Sequence, residues 1–89
     1  YGGEEFIVIL PDTSLDEAET FASRLRKNIE SHEFPGENRT FQCTVSLGVA
    51  EYSQKHVKNN SDMVGYVDKA LYVSKENGRN QVTKYIYKK

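Results

Sequence analysis

The chain has 89 residues, 37% of them hydrophobic and 28% charged, with a formal net charge of −1 and a sequence pI near 6.1. That length allows one small domain, which buries only about 60–65% of the surface its unfolded form exposes. Near-neutral charge excludes a long-range pull toward nucleic acid or an anionic membrane, and the single Cys43 excludes an internal disulfide.

No apolar run approaches the roughly 20 residues that span a bilayer, and no secretory leader pattern is visible. The expectation is a cytoplasmic domain with no nucleic-acid partner and no membrane insertion in this segment. Whether a longer parent carries a membrane anchor is left open.

Tyr1-Gly2-Gly3-Glu4 opens the chain as a tight turn, because adjacent glycines supply the positive φ angles a type I′ hairpin needs. Phe6-Ile7-Val8-Ile9-Leu10 follows as an unbroken apolar run of strand length, expected to be covered on both faces. A hairpin turn with no strand before it means either a wrong turn assignment or a chain that begins inside a domain, and the second is expected. Ser14-Leu15-Asp16-Glu17 then fits a capping box. Leu15, Ala18, Phe21, Ala22, Leu25 and Ile29 recur at helical spacing, with Arg24, Lys27 and Glu30 on the solvent side. This helix is predicted to stop near His32, before the loop-forming Pro35-Gly36-Glu37-Asn38.

Phe41, Cys43, Val45, Leu47 and Val49 alternate with Gln42, Thr44, Ser46 and Gly48, which predicts one strand with a single apolar face. Cys43 is thereby expected inward as a structural thiol. Thr44 and Ser46 face a helix or solvent, with no base beside them. After a polar loop, Ser61 is expected to cap a second helix carrying Met63, Val64, Val67, Ala70, Leu71 and Ser74 on its apolar stripe, with Gly78 as the residue that stops it. Tyr66 and Tyr72 fall on or near that stripe and are expected in the core or at its rim. Gln81 to Tyr87 is β-branched and aromatic enough for a last strand. The predicted order is β-α-β-α-β, an α/β sandwich with helices packed on a central sheet.

Two places can carry chemistry. Gly2-Gly3-Glu4-Glu5 joins a backbone that a nucleotide can approach closely to carboxylates, the hard oxygen ligands that magnesium prefers. Neighbours on a strand point to opposite faces, so only one of Glu4 and Glu5 serves a given site directly. Lys75 and Arg79, at the end of the second helix, can present two cations to a phosphate chain. Spacing alone favours the plainer readings, a solvated acidic strand start and cations complementing a helix dipole, an effect of about 0.3–1 kcal/mol. His32 and His56 stand alone in polar loops, and the glycines form neither a P-loop nor a GxGxxG fingerprint.

The residues nevertheless resemble a known family. Gly2-Gly3-Glu4-Glu5-Phe6 is similar to the GG(D/E)EF signature of the GGDEF (diguanylate cyclase) domain family. Thr44-Val45-Ser46-Leu47-Gly48-Val49-Ala50 looks like its strand with an SxG motif. Residues 68–80, Asp-Lys-Ala-Leu-Tyr-Val-Ser-Lys-Glu-Asn-Gly-Arg-Asn, resemble its late helix, DxALYxAKxxGRN, with Ser74 where the family usually has alanine.

The resemblance implies a nucleotidyl-cyclase-like half-domain and a parent that condenses two GTP into cyclic di-GMP as a homodimer, each half holding one GTP. It implies Mg²⁺ (or Mn²⁺) as cofactor and an upstream sensory or receiver domain. By the same likeness Gly2 and Gly3 let the backbone meet the nucleotide. Glu4 binds the metal and helps deprotonate the ribose 3′-hydroxyl, Glu5 is the second catalytic acid, and Lys75 and Arg79 contact the phosphates. In the family another metal-binding aspartate, the guanine-binding residues and the RxxD inhibitory site precede the signature. Residues 1–89 are therefore expected to be the C-terminal half of the domain, inactive alone. The competing expectation is a catalytically silent GGDEF-like module that senses a nucleotide or pairs with another domain.

Overall fold

A computed structural model of the chain describes residues 10 and 12–87. The expected glycine turn, Glu4 and Glu5 lie outside these residues. So does the predicted strand of residues 6–10, save Leu10, which has no regular structure.

Helix α1 runs Leu15–Ser31 and begins where the capping box predicts. Ser14 Oγ accepts from the Glu17 amide at 3.2 Å, and Glu17 Oε1 accepts from the Ser14 amide at 3.0 Å. An N-cap serine of this kind contributes about 1 kcal/mol. The bond from the Ser14 amide, with that to its hydroxyl, also holds the Glu17 carboxyl below the ordinary glutamate range. A further first-turn amide, Leu15 N, donates to Glu51 Oε1 at 3.1 Å. Ala18 and Ala22 are buried, while Leu15, Leu25 and Ile29 are half-buried. Phe21, expected inward, is 46% exposed. It sits one helical step to the side of Ala22, so the small residues make the contact and the large ring is left at the margin.

Strands β1, Phe34–Pro35, and β2, Thr40–Phe41, pair antiparallel in the register Phe34↔Phe41 and Pro35↔Thr40. The two phenyl rings stack at 5.7 Å across the hairpin. Strand β3 is Leu47–Val49. The single strand expected from Phe41 to Val49 is thus divided, and residues 42–46 join no ladder among the described residues. Alternation produces an inward face only where another layer covers it. Here α1 and α2 (Asn60–Glu76) cover β3, whereas Phe41 and Cys43 are exposed. The expectation of a buried Cys43 is corrected accordingly.

Strand β4, Val82–Lys84, lies parallel to β3 in the register Leu47↔Val82, Gly48↔Thr83, Val49↔Lys84. It is shorter than residues 81–87, although Leu47 N to Gln81 O and Tyr85 N to Val49 O extend the pairing by a bond at each end. Parallel neighbours need a long crossover, and α2 supplies it. The helix is capped by Asn59, not by Ser61: Asn59 Oδ1 accepts from the Asp62 amide at 3.0 Å. Asparagine caps as well as serine, and Asp62 in turn accepts from Lys58 N at 2.7 Å, so the earlier start satisfies more backbone.

Gly48 explains how closely α2 lies on β3. A Cβ at that position would come within 2.4 Å of Leu71 N and 2.6 Å of Val67 O. Buried Ser74 then ties the layers together, donating to Leu47 O at 2.7 Å and therefore accepting from Thr83 Oγ1 at 2.7 Å, since it has one proton to give. Helix α1 packs on the same two strands, and Lys84 reaches Asp16 at 3.6 Å and Glu19 at 3.5 Å. Tyr66 packs with Tyr85 and Tyr87 at 4.8 and 5.1 Å, as its place on the stripe predicts. Tyr72 is 63% exposed and reaches its own helix through Glu76, which corrects its assignment to the core or rim.

Candidate functional site

Helix α2 ends in a Schellman closure. Asn77 is the C-cap, Gly78 follows with φ of +107°, and Arg79 N donates back to Ser74 O at 2.9 Å. Glycine is the natural residue for that first left-handed step. The next two steps are less usual: Arg79 and Asn80 keep positive φ, at 62° and 51°. A non-glycine residue in this region costs roughly 1–2 kcal/mol, and it persists where surrounding bonds over-determine it. Those bonds are present. Gln81 Nε2 donates to Asn77 O at 2.7 Å and Arg79 O at 3.1 Å, and Asn80 N donates to Ser46 Oγ at 3.1 Å.

The effect is to bring two cations to one end of α2. Lys75, half-buried, projects from the last helical turn, and Arg79, exposed, from the left-handed loop. Arg79 brings a planar fork suited to paired phosphate oxygens, and Lys75 brings a compact charge. Gly2, Gly3, Glu4 and Glu5 lie outside the described residues, so only the cationic part of the expected site has a described geometry. Among the described residues no group of three or more His, Cys, Asp or Glu side chains is arranged to hold a metal ion. Concave patches lie at the hairpin, around Gly36 to Phe41, and on α1, around Asp16 and Phe21, but neither includes Lys75 or Arg79.

His56, set aside in the sequence, engages Ser53 Oγ through Nδ1 at 2.9 Å and stacks on Tyr87 at 4.4 Å. Burial, with Tyr66 and Tyr85 alongside, raises the Tyr87 hydroxyl above the ordinary tyrosine range. This is packing at the far end of the β3–β4 pair from Arg79. Sequence reasoning reads Ser46, Glu30 and Asn80 only for their motifs or their helix face, and Arg26 not at all, yet the four meet beside Arg79. Asn80 carried a readable signal, since asparagine tolerates left-handed backbone beyond a helix-stopping glycine. Nothing in the spacing pointed to its partners.

Residues 1–81 match the family described as diguanylate cyclase, GGDEF domain. The chain belongs to this family. It is 43% identical over 83 residues to Diguanylate cyclase A of Treponema denticola, covering 93% of the chain and 22% of that protein. It is 40% identical over 84 residues to Diguanylate cyclase DgcM of Escherichia coli, covering 92% of the chain and 19% of the relative. A probable diguanylate cyclase of the same bacterium, DgcT, is 38% identical over 85 residues. The GGDEF chain thus spans about a fifth of the length of these curated relatives. Its α/β architecture agrees with part of a GGDEF, nucleotidyl-cyclase-like domain. No helix among the described residues is long and apolar enough to cross a membrane.

Proposed function

We propose that this chain is the C-terminal half of a GGDEF domain in a longer diguanylate cyclase, one that condenses two GTP into cyclic di-GMP as a homodimer under an upstream sensory or receiver domain. The observation that carries the reading is the helix end that offers Lys75 and Arg79 together, in a chain whose residues 1–81 match the family. The Arg79 fork binds phosphate oxygens in a paired manner, and Lys75 neutralises charge beside it. Gly2 and Gly3 let the backbone approach the nucleotide. Glu4 takes the proton of the ribose 3′-hydroxyl as its oxygen attacks the α-phosphate and pyrophosphate leaves, and Glu5 assists as the second acid. Glu4 would also hold Mg²⁺ or Mn²⁺ through its carboxylate oxygens, the ligand type these ions select. When bound, the ion supplies positive charge against the phosphate oxygens. Residues 1–89 alone bind phosphate through the two cations but do not turn GTP over.

The test is product formation by the longer protein with GTP and Mg²⁺. Cyclic di-GMP is expected, and Lys75→Ala or Arg79→Ala should each lower kcat/KM about tenfold to a hundredfold, the range for losing a charge-assisted contact. A folded, dimeric protein that yields no product would sink the proposal. Tight GTP binding without turnover in that experiment would favour a nucleotide-sensing module instead.

A further inference from the structure

Asn80 does more than end a helix. Its Nδ2 donates to Glu30 Oε2 at 2.7 Å, and its Oδ1 accepts from Arg26 Nη1 at 3.0 Å. Arg26 and Glu30 are themselves paired at 3.3 Å, one turn apart on α1. The amide side chain is therefore read at both ends by a matched donor and acceptor, while its backbone N–H is held by Ser46 Oγ. Three elements, α1, the segment before β3 and the α2–β4 loop, converge on one residue. That residue has φ of 51° and is bonded directly to Arg79, whose own φ is 62°.

The Arg26–Glu30 pair joins a half-buried guanidinium to an exposed carboxylate, and a pair at a spacing of four residues on a helix is worth only a few tenths of a kcal/mol. Such a pair is a poor explanation for a fork fitted to an asparagine 50 residues away. Its geometry matters more than its charge. Two consecutive left-handed non-glycine residues relax unless they are held, and the side-chain bonds to Asn80 tie to α1 a loop that Gln81 restrains only locally and Ser46 from the segment before β3. Relaxation there would turn the Arg79 Cα–Cβ vector away from the end of α2.

We infer that Arg26, Glu30 and Asn80 are positioning residues, a clamp from α1 that fixes the Arg79 guanidinium for phosphate binding. The inference rests on the phosphate-binding reading of Arg79. It adds three residues that touch no substrate and act through the loop.

The experiment uses the longer protein and reads three quantities: KM for GTP, kcat, and calorimetric affinity for α,β-methylene GTP, which binds without reacting. Glu30→Ala should weaken analogue binding and raise KM by about three- to tenfold, the effect of a displaced charge-assisted contact, with kcat at saturation within about twofold. Glu30→Gln keeps an oxygen for Asn80 Nδ2 and should recover most of the loss. Asn80→Gly keeps the left-handed backbone without either side-chain bond. It should reproduce the Glu30→Ala defect, and the double variant should add little, as expected of residues acting as one unit.

A merely structural role would lower the melting temperature but leave the affinity of the folded protein unchanged. If Glu30→Ala and Asn80→Gly bind the analogue like the wild type while Arg79→Ala does not, the clamp is refuted and the phosphate reading stands. If Arg79→Ala also binds normally, both are refuted.

Discussion

Ser74 and Gly48 set the distance between α2 and the strands beneath it, and each makes a sharp prediction. Ser74 is fully buried, with Leu47 O and Thr83 Oγ1 as its partners. Ser74→Ala strands both, and should cost about 1–3 kcal/mol by urea unfolding. Adding Thr83→Val removes the second hydroxyl and should return part of that loss; a double variant worse than the sum would refute the account. Gly48→Ala is expected to be harsher, because its methyl would collide with helix backbone that cannot rotate aside. A loss of about 3 kcal/mol or more, seen as a lower urea midpoint, is the expected result. A wild-type midpoint would mean that α2 can lift from β3. Both residues fall within motifs that the sequence displays, yet the reason for each lies in a neighbour far along the chain.

Among the elements, what the sequence disclosed was local and what it concealed was not. The capping box of α1, its end near His32 and the glycine stop of α2 depend on residues within five positions of each other, and all three form as expected. The division of the 41–49 segment depends on where a second layer reaches. Alternation cannot reveal that, so Cys43 came out on the surface. The same holds for Tyr72, which falls on or near the helical stripe of Leu71 and Ser74 but is exposed. Of the candidate site, Lys75 and Arg79 were readable from a motif, whereas the Arg26–Glu30 fork required the fold.

Helix α1 also carries a pH dependence. The folded Glu17 carboxyl lies below its unfolded value, so its contribution is complete above the ordinary glutamate range and is lost as pH falls through the folded value. Helicity followed by circular dichroism should therefore decline in mild acid more steeply in the wild type than in Glu17→Gln, which keeps an acceptor without titrating. Equal profiles would remove the capping box as the cause.

At the scale of the whole molecule, the described core is built from small side chains. Its buried apolar residues are Ala18, Ala22, Val57 and Ala70, and the only side chain of essentially zero exposure is that of Ser74. Alanines bring helices close but remove little apolar surface from water, at about 25 cal/mol per Å². These close contacts should accordingly resist larger side chains: Ala22→Leu, at a position 2% exposed, is expected to cost about 1–3 kcal/mol by urea unfolding, and an unchanged midpoint would contradict it.

The span of the Glu30–Asn80 contact has a consequence for how such a protein is born. Fifty residues separate its two ends, and the crossover helix that joins the parallel strands lies between them. Closing so wide a loop is entropically costly and follows the local turns in time. During synthesis α1 leaves the ribosome well before its partner, so the loop that carries Arg79 can be tied to Arg26 and Glu30 only once residue 80 has emerged.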